Sequence, residues 1–324
     1  MEKGNSERYV VVGFGWVGQA NTLSFAMSGL NVAYFDIGEP PRHYAEYTSA
    51  YSRLPRLKKV DEWDGPNTWY IVCVGDRVSD TGVQDVSNIR SALEQLTKLQ
   101  GGVILRSTIV PDTLASVAFD YYLPEFLHEK YAVRECLHPH FFVVGRREGA
   151  RPAPQLFSIM RARAHKSFEG TPREAAFIKY LSNLWNALRI SFVNEFGDAI
   201  GRPTDQARLS EIERVLGFLF ENRSYFRYGK AFGGHCLPKD ARAFLGAYGK
   251  SADLSLIRGL YDSNEKHRTL EAQFPLLSEW YSVWETPHIG GWRALGELGY
   301  AMRKQILLFA RNLAGLLRIR DKAI

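Results

Sequence analysis

Residues 231–240 read Ala231-Phe232-Gly233-Gly234-His235-Cys236-Leu237-Pro238-Lys239-Asp240, a glycine-rich loop that hands one cysteine to a helix start. Cys236 and Asp240 lie four residues apart, so on a helix with Pro238 in its first turn both point into one site. The thiolate is the nucleophilic form of cysteine. A helix N-terminus and a nearby ammonium, here Lys239, favour it. The expectation is therefore a catalytic cysteine with its thiolate stabilised. Two further groups of side chains could serve it. Pro124-Glu125-Phe126-Leu127-His128-Glu129 sets two carboxylates four residues apart, on one face if the segment is helical, where paired acids act as bases or position water. A long amphipathic stretch places Lys179 and Asn183 on one face, and Asn186, Ile190 and Asn194 likewise share one. Polar groups on the inner side of an apolar helix need partners, and either a reacting oxygen or structural hydrogen bonds would satisfy them.

These groups need elements to position them. Thr171 offers an N-cap, Glu174 completes a capping box and Gly201 supplies a stop, which predicts one helix from about Pro172 to Ile200. Further upstream, Arg8–Val12 is a β-branched run leading into Gly13-Phe14-Gly15-Trp16-Val17-Gly18. An apolar helix ending near Gly29 follows, and then a second strand, Asn31 to Asp36. Strand, glycine turn, helix, strand and acid form the dinucleotide fingerprint. Gly13 permits the tight turn, Gly15 lets a pyrophosphate approach, Gly18 packs helix on strand, and Asp36 receives the adenine ribose hydroxyls. The charge of Asp36 repels a 2′-phosphate, so NAD is the expected cofactor. Strands at Trp69–Val74 and Gly102–Leu105 flank a helix at Val86–Leu99, and this alternation implies a parallel sheet. Ligands bind at the carboxyl ends of such strands, where Cys73, Val74, Gly75-Asp76, Ser107 and Thr108 fall. By its apolar surroundings Cys73 reads as core.

The 324 residues suffice for about two domains, with 45% hydrophobic and 23% charged residues. Three widely spaced cysteines and a charged Met1-Glu2-Lys3 start fit a reducing cytosol, so a cytoplasmic location is expected. No apolar run is long enough to cross a bilayer. Net charge is +6, and residues 301–324 hold six basic residues against one acidic; neither nucleic acid nor membrane is the expected partner. In that tail Ile306, Phe309, Leu313, Leu316 and Leu317 form an apolar helical stripe.

Taken in order, these motifs resemble the UDP-glucose/GDP-mannose dehydrogenase family, enzymes that oxidise the primary alcohol of a nucleotide sugar to a carboxylate. The resemblance covers roughly Tyr9 to Arg268. It rests on the glycine fingerprint with Asp36, on Ser107-Thr108-Ile109-Val110-Pro111, on Pro124–Glu129, on Glu174–Asn183 with its continuation through Phe192, Asn194 and Glu195, and on Phe232–Asp240. It implies an α/β fold: a Rossmann domain over 1–166, a mainly helical catalytic and dimerisation domain over 167–272, and a tail over 273–324 in place of the family's third domain. It implies NAD, a sugar or nucleotide-sugar substrate, a homodimer and no metal. Cys236 would carry a thiohemiacetal and then a thioester. Lys179 and Asn183 would stabilise the developing oxyanion, Asp240 with Thr108 would relay a proton, and Glu125 would assist hydrolysis. Phe14, Trp16, Val17, Cys73, Val74, Ser107, Glu129 and Lys239 would join the glycines and Asp36 around the cofactor. Phe126, Leu127, Tyr225, Arg227, Phe232, Gly233 and Leu237 would hold the substrate. The sequence departs from the family at Ala231, at Phe220 in place of an arginine, and at Gly75-Asp76-Arg77 in place of Thr-Pro. A two-electron dehydrogenase of the β-hydroxyacid group and a catalytically silent NAD-binding partner are the alternatives.

Overall fold

The computed structural model describes residues 7–128, 131–201, 205–220, 226, 228–234 and 236–274. Strands are β1 (Arg8–Val12), β2 (Val32–Phe35), β3 (Thr68–Val72), β4 (Arg77–Val78), β5 (Gln84–Asp85), β6 (Gly102–Leu105), β7 (Tyr121–Tyr122), β8 (Phe141–Arg146) and β9 (Lys166–Gly170). Helices are α1 (Trp16–Met27), α2 (Thr48–Tyr51), α3 (Ser87–Leu96), α4 (Ala132–Glu135), α5 (Gln155–Arg163), α6 (Pro172–Ile200), α7 (Gln206–Leu219), α8 (Cys236–Tyr248) and α9 (Ser255–Gln273).

Seven strands form one sheet in the order β2-β1-β3-β6-β7-β8-β9, and β4 and β5 make a separate hairpin. The sheet is parallel except where β7 meets β8, so the all-parallel expectation needs that one correction. Residues 123–140, whose one described helix is the single turn α4, connect β7 to β8, which returns antiparallel to it. Strands β1 and β3 are wholly or nearly wholly buried runs of β-branched and aromatic residues, as a sheet covered on both faces demands. One apolar cluster lies on each face. Tyr9, Val11, Leu23, Phe25 and Ile71 belong to one, and Val10, Val12, Tyr70, Val72 and Leu93 to the other, following the two-residue alternation of strands.

The chain leaves the sheet at Gly170 and enters α6 through the expected capping box: Thr171 accepts from the Glu174 N–H while Glu174 accepts from that of Thr171. Gly145 lets the start of α6 lie on β8, since a Cβ there would sit 2.4 Å from Pro172 Cα. Along its length α6 packs on α8 and then on α9, and so joins the sheet to the helical part. Among the described residues no helix is long and apolar enough to cross a membrane, and no group of side chains could hold a metal ion.

Candidate functional site

The β1–α1 turn lies where the strand order reverses, between β1 and β3, the switch point at which such sheets bind ligands. Gly13 sits at φ +91 and its missing Cβ would stand 2.9 Å from the Cys73 carbonyl oxygen; a Cβ on Gly18 would lie 1.9 Å from the Gly13 oxygen. A Cβ on Gly15 would meet nothing within 4 Å. Gly13 and Gly18 are thus forced by packing, whereas Gly15 borders open space, a cradle that fits a pyrophosphate at the N-terminus of α1. Asp36 accepts from Phe14 N at 2.6 Å and Gly38 N at 2.8 Å, which fixes its half-buried carboxylate beside the turn. The Phe14 ring is buried on Tyr34, Trp16 stacks on His43, and Val17 is half-buried in the first turn of α1. Val74 is half-buried, Ser107 is buried with its hydroxyl donating to Val72 O at 3.3 Å, and Thr108 is half-buried.

The second half of the site is built on α6. Lys179 Nζ lies 3.1 Å from Glu125 Oε1, with side chains only 4% and 9% exposed. Asn183 Nδ2 donates to Asp240 Oδ2 at 2.6 Å, both buried. These two pairs sit four residues apart on one helix face, as the spacing predicts. Burial alone would raise the Glu125 carboxyl, but the Lys179 ammonium and the Leu127 N–H outweigh it and hold it below the usual carboxylate range. Burial alone would lower Lys179; Glu125, Asp240 and Cys236 together raise it. The ammonium also lies over the Phe126 ring, 5.4 Å from its centroid.

Helix α8 begins at Cys236, so the cysteine does occupy a helix start. Its side chain is exposed, yet its surroundings correct the expected electrostatics. Packing around the sulfur and then the Glu125 carboxylate push the thiol up to about 11, Asp240 adds to the rise, and Lys179 and Lys239 only partly oppose it. The sequence argument counted Lys239 as free to stabilise a thiolate. In the structure its Nζ lies 2.8 Å from Asp76 Oδ1, 2.9 Å from Asp76 Oδ2 and 3.0 Å from Asp240 Oδ1. Its charge is committed elsewhere.

Residues 173–266 match the central domain of the UDP-glucose/GDP-mannose dehydrogenase family. GDP-mannose 6-dehydrogenase of Pseudomonas aeruginosa is 29% identical over 197 residues, 53% of this chain and 44% of that protein. UDP-glucose 6-dehydrogenase TuaD of Bacillus subtilis is 26% identical over 298 residues, 81% of this chain and 64% of the relative. The family model and these relatives together support membership of the UDP-glucose/GDP-mannose dehydrogenase family. The chain spans 41–50% of the length of the curated GDP-mannose 6-dehydrogenases it matches. Among solved structures, UDP-glucose dehydrogenase from Pyrobaculum islandicum shares the fold at a TM-score of 0.63 and 23% identity, covering 83% of this chain and 69% of that one. A 3-hydroxyisobutyrate dehydrogenase from Mycobacterium tuberculosis shares the fold at a TM-score of 0.54 and 16% identity, covering 83% and 99%.

The remaining expected residues fall in several environments. Cys73 is half-buried behind the glycine turn, its thiol raised to about 12 chiefly by burial. Phe126 and Leu127 are half-buried beside Glu125. The segment Pro124–His128 is not helical, contrary to the condition set for paired acids, because Glu125 Oε2 accepts the Leu127 N–H and its other oxygen is drawn to Lys179. The Phe232 ring is buried with Ala187 and Leu260, while its backbone is pinned by Asn264. Gly233 borders open space and Leu237 packs against that same cluster. Asn194 is buried and structural: it donates to Lys230 O at 2.7 Å and accepts from Gly229 N at 3.0 Å. Phe192 is exposed, and Phe220 stacks on Phe226. Glu129, Tyr225, Arg227 and the tail beyond 274 lie outside the described residues. Sequence reasoning missed Asp76 as a partner of Lys239, and Gln84, whose amide donates to Asp76 Oδ2 at 2.6 Å and Thr108 O at 3.0 Å while accepting from Val110 N at 2.9 Å. The only signal was an acid where the family pattern has Thr-Pro.

Proposed function

We propose that this protein is an NAD-dependent dehydrogenase that oxidises the primary alcohol of a nucleotide sugar to a carboxylate in two steps, with Cys236 as the covalent nucleophile. The observation that carries this reading is the convergence of Lys179 and Asn183 from α6 with Cys236 and Asp240 from α8 beside the strand ends that hold the glycine turn. The curated relatives named for GDP-mannose and UDP-glucose point to the substrate class.

Gly13, Gly15, Gly18 and Asp36 would hold the dinucleotide, which when bound takes up the electrons of each oxidation. Lys179 and the Asn183 carboxamide place a positive charge and a donor where the substrate oxygen becomes negative, the kind of fixed field that lowers such barriers most. Asp240 receives the alcohol proton. Cys236 then adds to the aldehyde: the S–C bond forms, the thiol proton passes to the site, and the carbonyl oxygen becomes the hydroxyl of a thiohemiacetal. Its oxidation leaves a thioester, and Glu125 orients the water that cleaves the S–C bond to release carboxylate and regenerate the thiol. Tyr225, Arg227, Phe126, Leu127, Gly233 and Leu237 are the proposed substrate contacts, and Glu129 with Lys239 the proposed cofactor contacts.

We also infer a homodimer through α6. Leu181, Trp185, Phe192 and Phe196 lie on one helical face at 68%, 54%, 52% and 47% exposure, an apolar stripe that favours a second copy. The deciding experiment counts NADH per substrate across GDP-mannose, UDP-glucose and related nucleotide sugars. Two NADH with wild type and one with Cys236→Ser uphold the reading. One NADH from both proteins refutes it.

A further inference from the structure

The β4–β5 hairpin grips α8 at two points. Its entry residue Asp76 holds Lys239 with both carboxylate oxygens, and the carboxylate is 8% exposed. Its turn residue Gly82, at φ +82, lies against the helix backbone: a Cβ there would stand 2.5 Å from Arg242 O, and one on Gly246 would stand 2.3 Å from Gly82 O. Two glycines face each other because nothing larger fits. Arg242 reaches back to Asp80 at 3.0 Å. On the sheet side, Gln84 ties Asp76 to the Thr108–Val110 turn after β6. The hairpin therefore connects two strand ends of the nucleotide-binding sheet to the first three turns of the helix that starts at Cys236.

We propose that Asp76 is a positioning residue for Cys236, acting through Lys239, and that the β4–β5 hairpin sets both the place and the charge of the nucleophile helix. The assignment rests on the functional reading above for the importance of Cys236. The charges around the thiol come from every element packed there: Glu125 after β7, Lys179 on α6, Lys239 and Asp240 on α8, and Asp76 behind Lys239. Three acids face these two ammonium groups and the buried Arg106 guanidinium, which acts on Glu125 from the end of β6. Glu125 and Asp240 disfavour the thiolate, and Asp76 holds the Lys239 ammonium that would oppose them. Removing the Asp76 charge makes the cluster more positive by one and frees Lys239 to favour the thiolate.

The test is the pH dependence of iodoacetamide alkylation of the full chain, with Cys236→Ser giving the background from Cys73 and Cys136. Asp76→Asn is expected to move the Cys236 midpoint down by about one unit, alkylating about tenfold faster at pH 8. Asp76→Glu, which keeps the charge, is expected to restore the wild-type profile. An Asp76→Asn midpoint equal to wild type overturns the proposal, as does an Asp76→Glu profile that follows Asp76→Asn. Should Asp76→Asn alone fail to fold, Asp76→Ser reads the same effect: its midpoint must lie below that of wild type, and a midpoint equal to wild type overturns the proposal. Alkylation needs neither substrate nor NAD, so failure here leaves the NADH count untouched, and failure of that count leaves this result standing.

Discussion

Glu125→Gln removes one charge from the buried pair with Lys179 while keeping the shape of the side chain. At 3.1 Å and an effective dielectric of about 20 the attraction is about 5 kcal/mol, and it offsets the desolvation of both groups. Removing one partner strands the other, which costs about 3–5 kcal/mol. At about 2–4 °C per kcal/mol the melting temperature should fall by roughly 6–20 °C. Lys179→Met should cost a similar amount, because it leaves Glu125 buried and unpaired. Glu125→Gln/Lys179→Met removes both charges and should lose much less than the sum of the two single losses. Urea unfolding of the four proteins gives the cycle. A double variant that loses the sum of the two single losses would refute the argument that the pair acts as a unit. The pH dependence has a definite sign. Glu125 is held below its ordinary 4.5, so its contribution is full above that value and lost as pH falls through the depressed one. Lys179 is raised above 10.5, so its contribution is full below that value and lost as pH rises through the raised one. Glu125→Gln should therefore flatten part of the acid limb of the stability curve.

Gly15→Ala should leave thermal stability within about 0.5 kcal/mol and weaken NAD binding measured by calorimetry, whereas Gly18→Ala should destabilise by about 1–3 kcal/mol because its Cβ meets backbone at 1.9 Å. Asp36→Asn should lower NAD affinity about tenfold and narrow the gap to NADP in the same titration; an unchanged preference would remove Asp36 from the ribose site. Trp185→Glu with Phe192→Glu, placing charges on the exposed α6 stripe, should shift sedimentation to monomer, and a wild-type protein already monomeric at micromolar concentration would end the dimer proposal.

What the sequence makes legible is local. The capping box and Gly201 bound α6 to the residue, since each signal lies within one turn of the helix end it marks. The β1–α1–β2 unit follows for the same reason: turn, helix and acid occupy one short stretch. The Asp76–Lys239 contact spans 163 residues, and no periodicity announces it. Strands β4 and β5 are two residues each, too short for an alternating pattern to register. The error over the Cys236 thiol has the same origin. Lys239 lies three residues away in sequence and was counted, while the opposing Glu125 arrives from the distant segment after β7 and Asp76 from a hairpin the sequence does not mark.

The raised thiol changes what the proposed chemistry requires of its neighbours. With the thiol near 11, thiolate amounts to on the order of one molecule in three thousand at pH 7.5, so a standing thiolate is not the attacking species. The proton must leave the sulfur as the S–C bond forms, and the electrostatics of the site favour charge on the substrate oxygen over charge on the sulfur. In the proposed chemistry Lys179, held on α6 by Glu125, would be the ammonium that serves that oxygen. Asp240 would take the proton in that scheme: Asn183 binds one of its oxygens, and Lys239 touches the other as an ion contact without hydrogen-bond geometry. In the proposed reaction such a site would keep its cysteine as a thiol until an aldehyde arrives to accept the electrons. Alkylating reagents should therefore react with the free protein slowly at neutral pH, at a rate that climbs toward pH 11. A rate already at its plateau at pH 8 would show that the thiolate is present beforehand and that the field around Cys236 has the opposite sign.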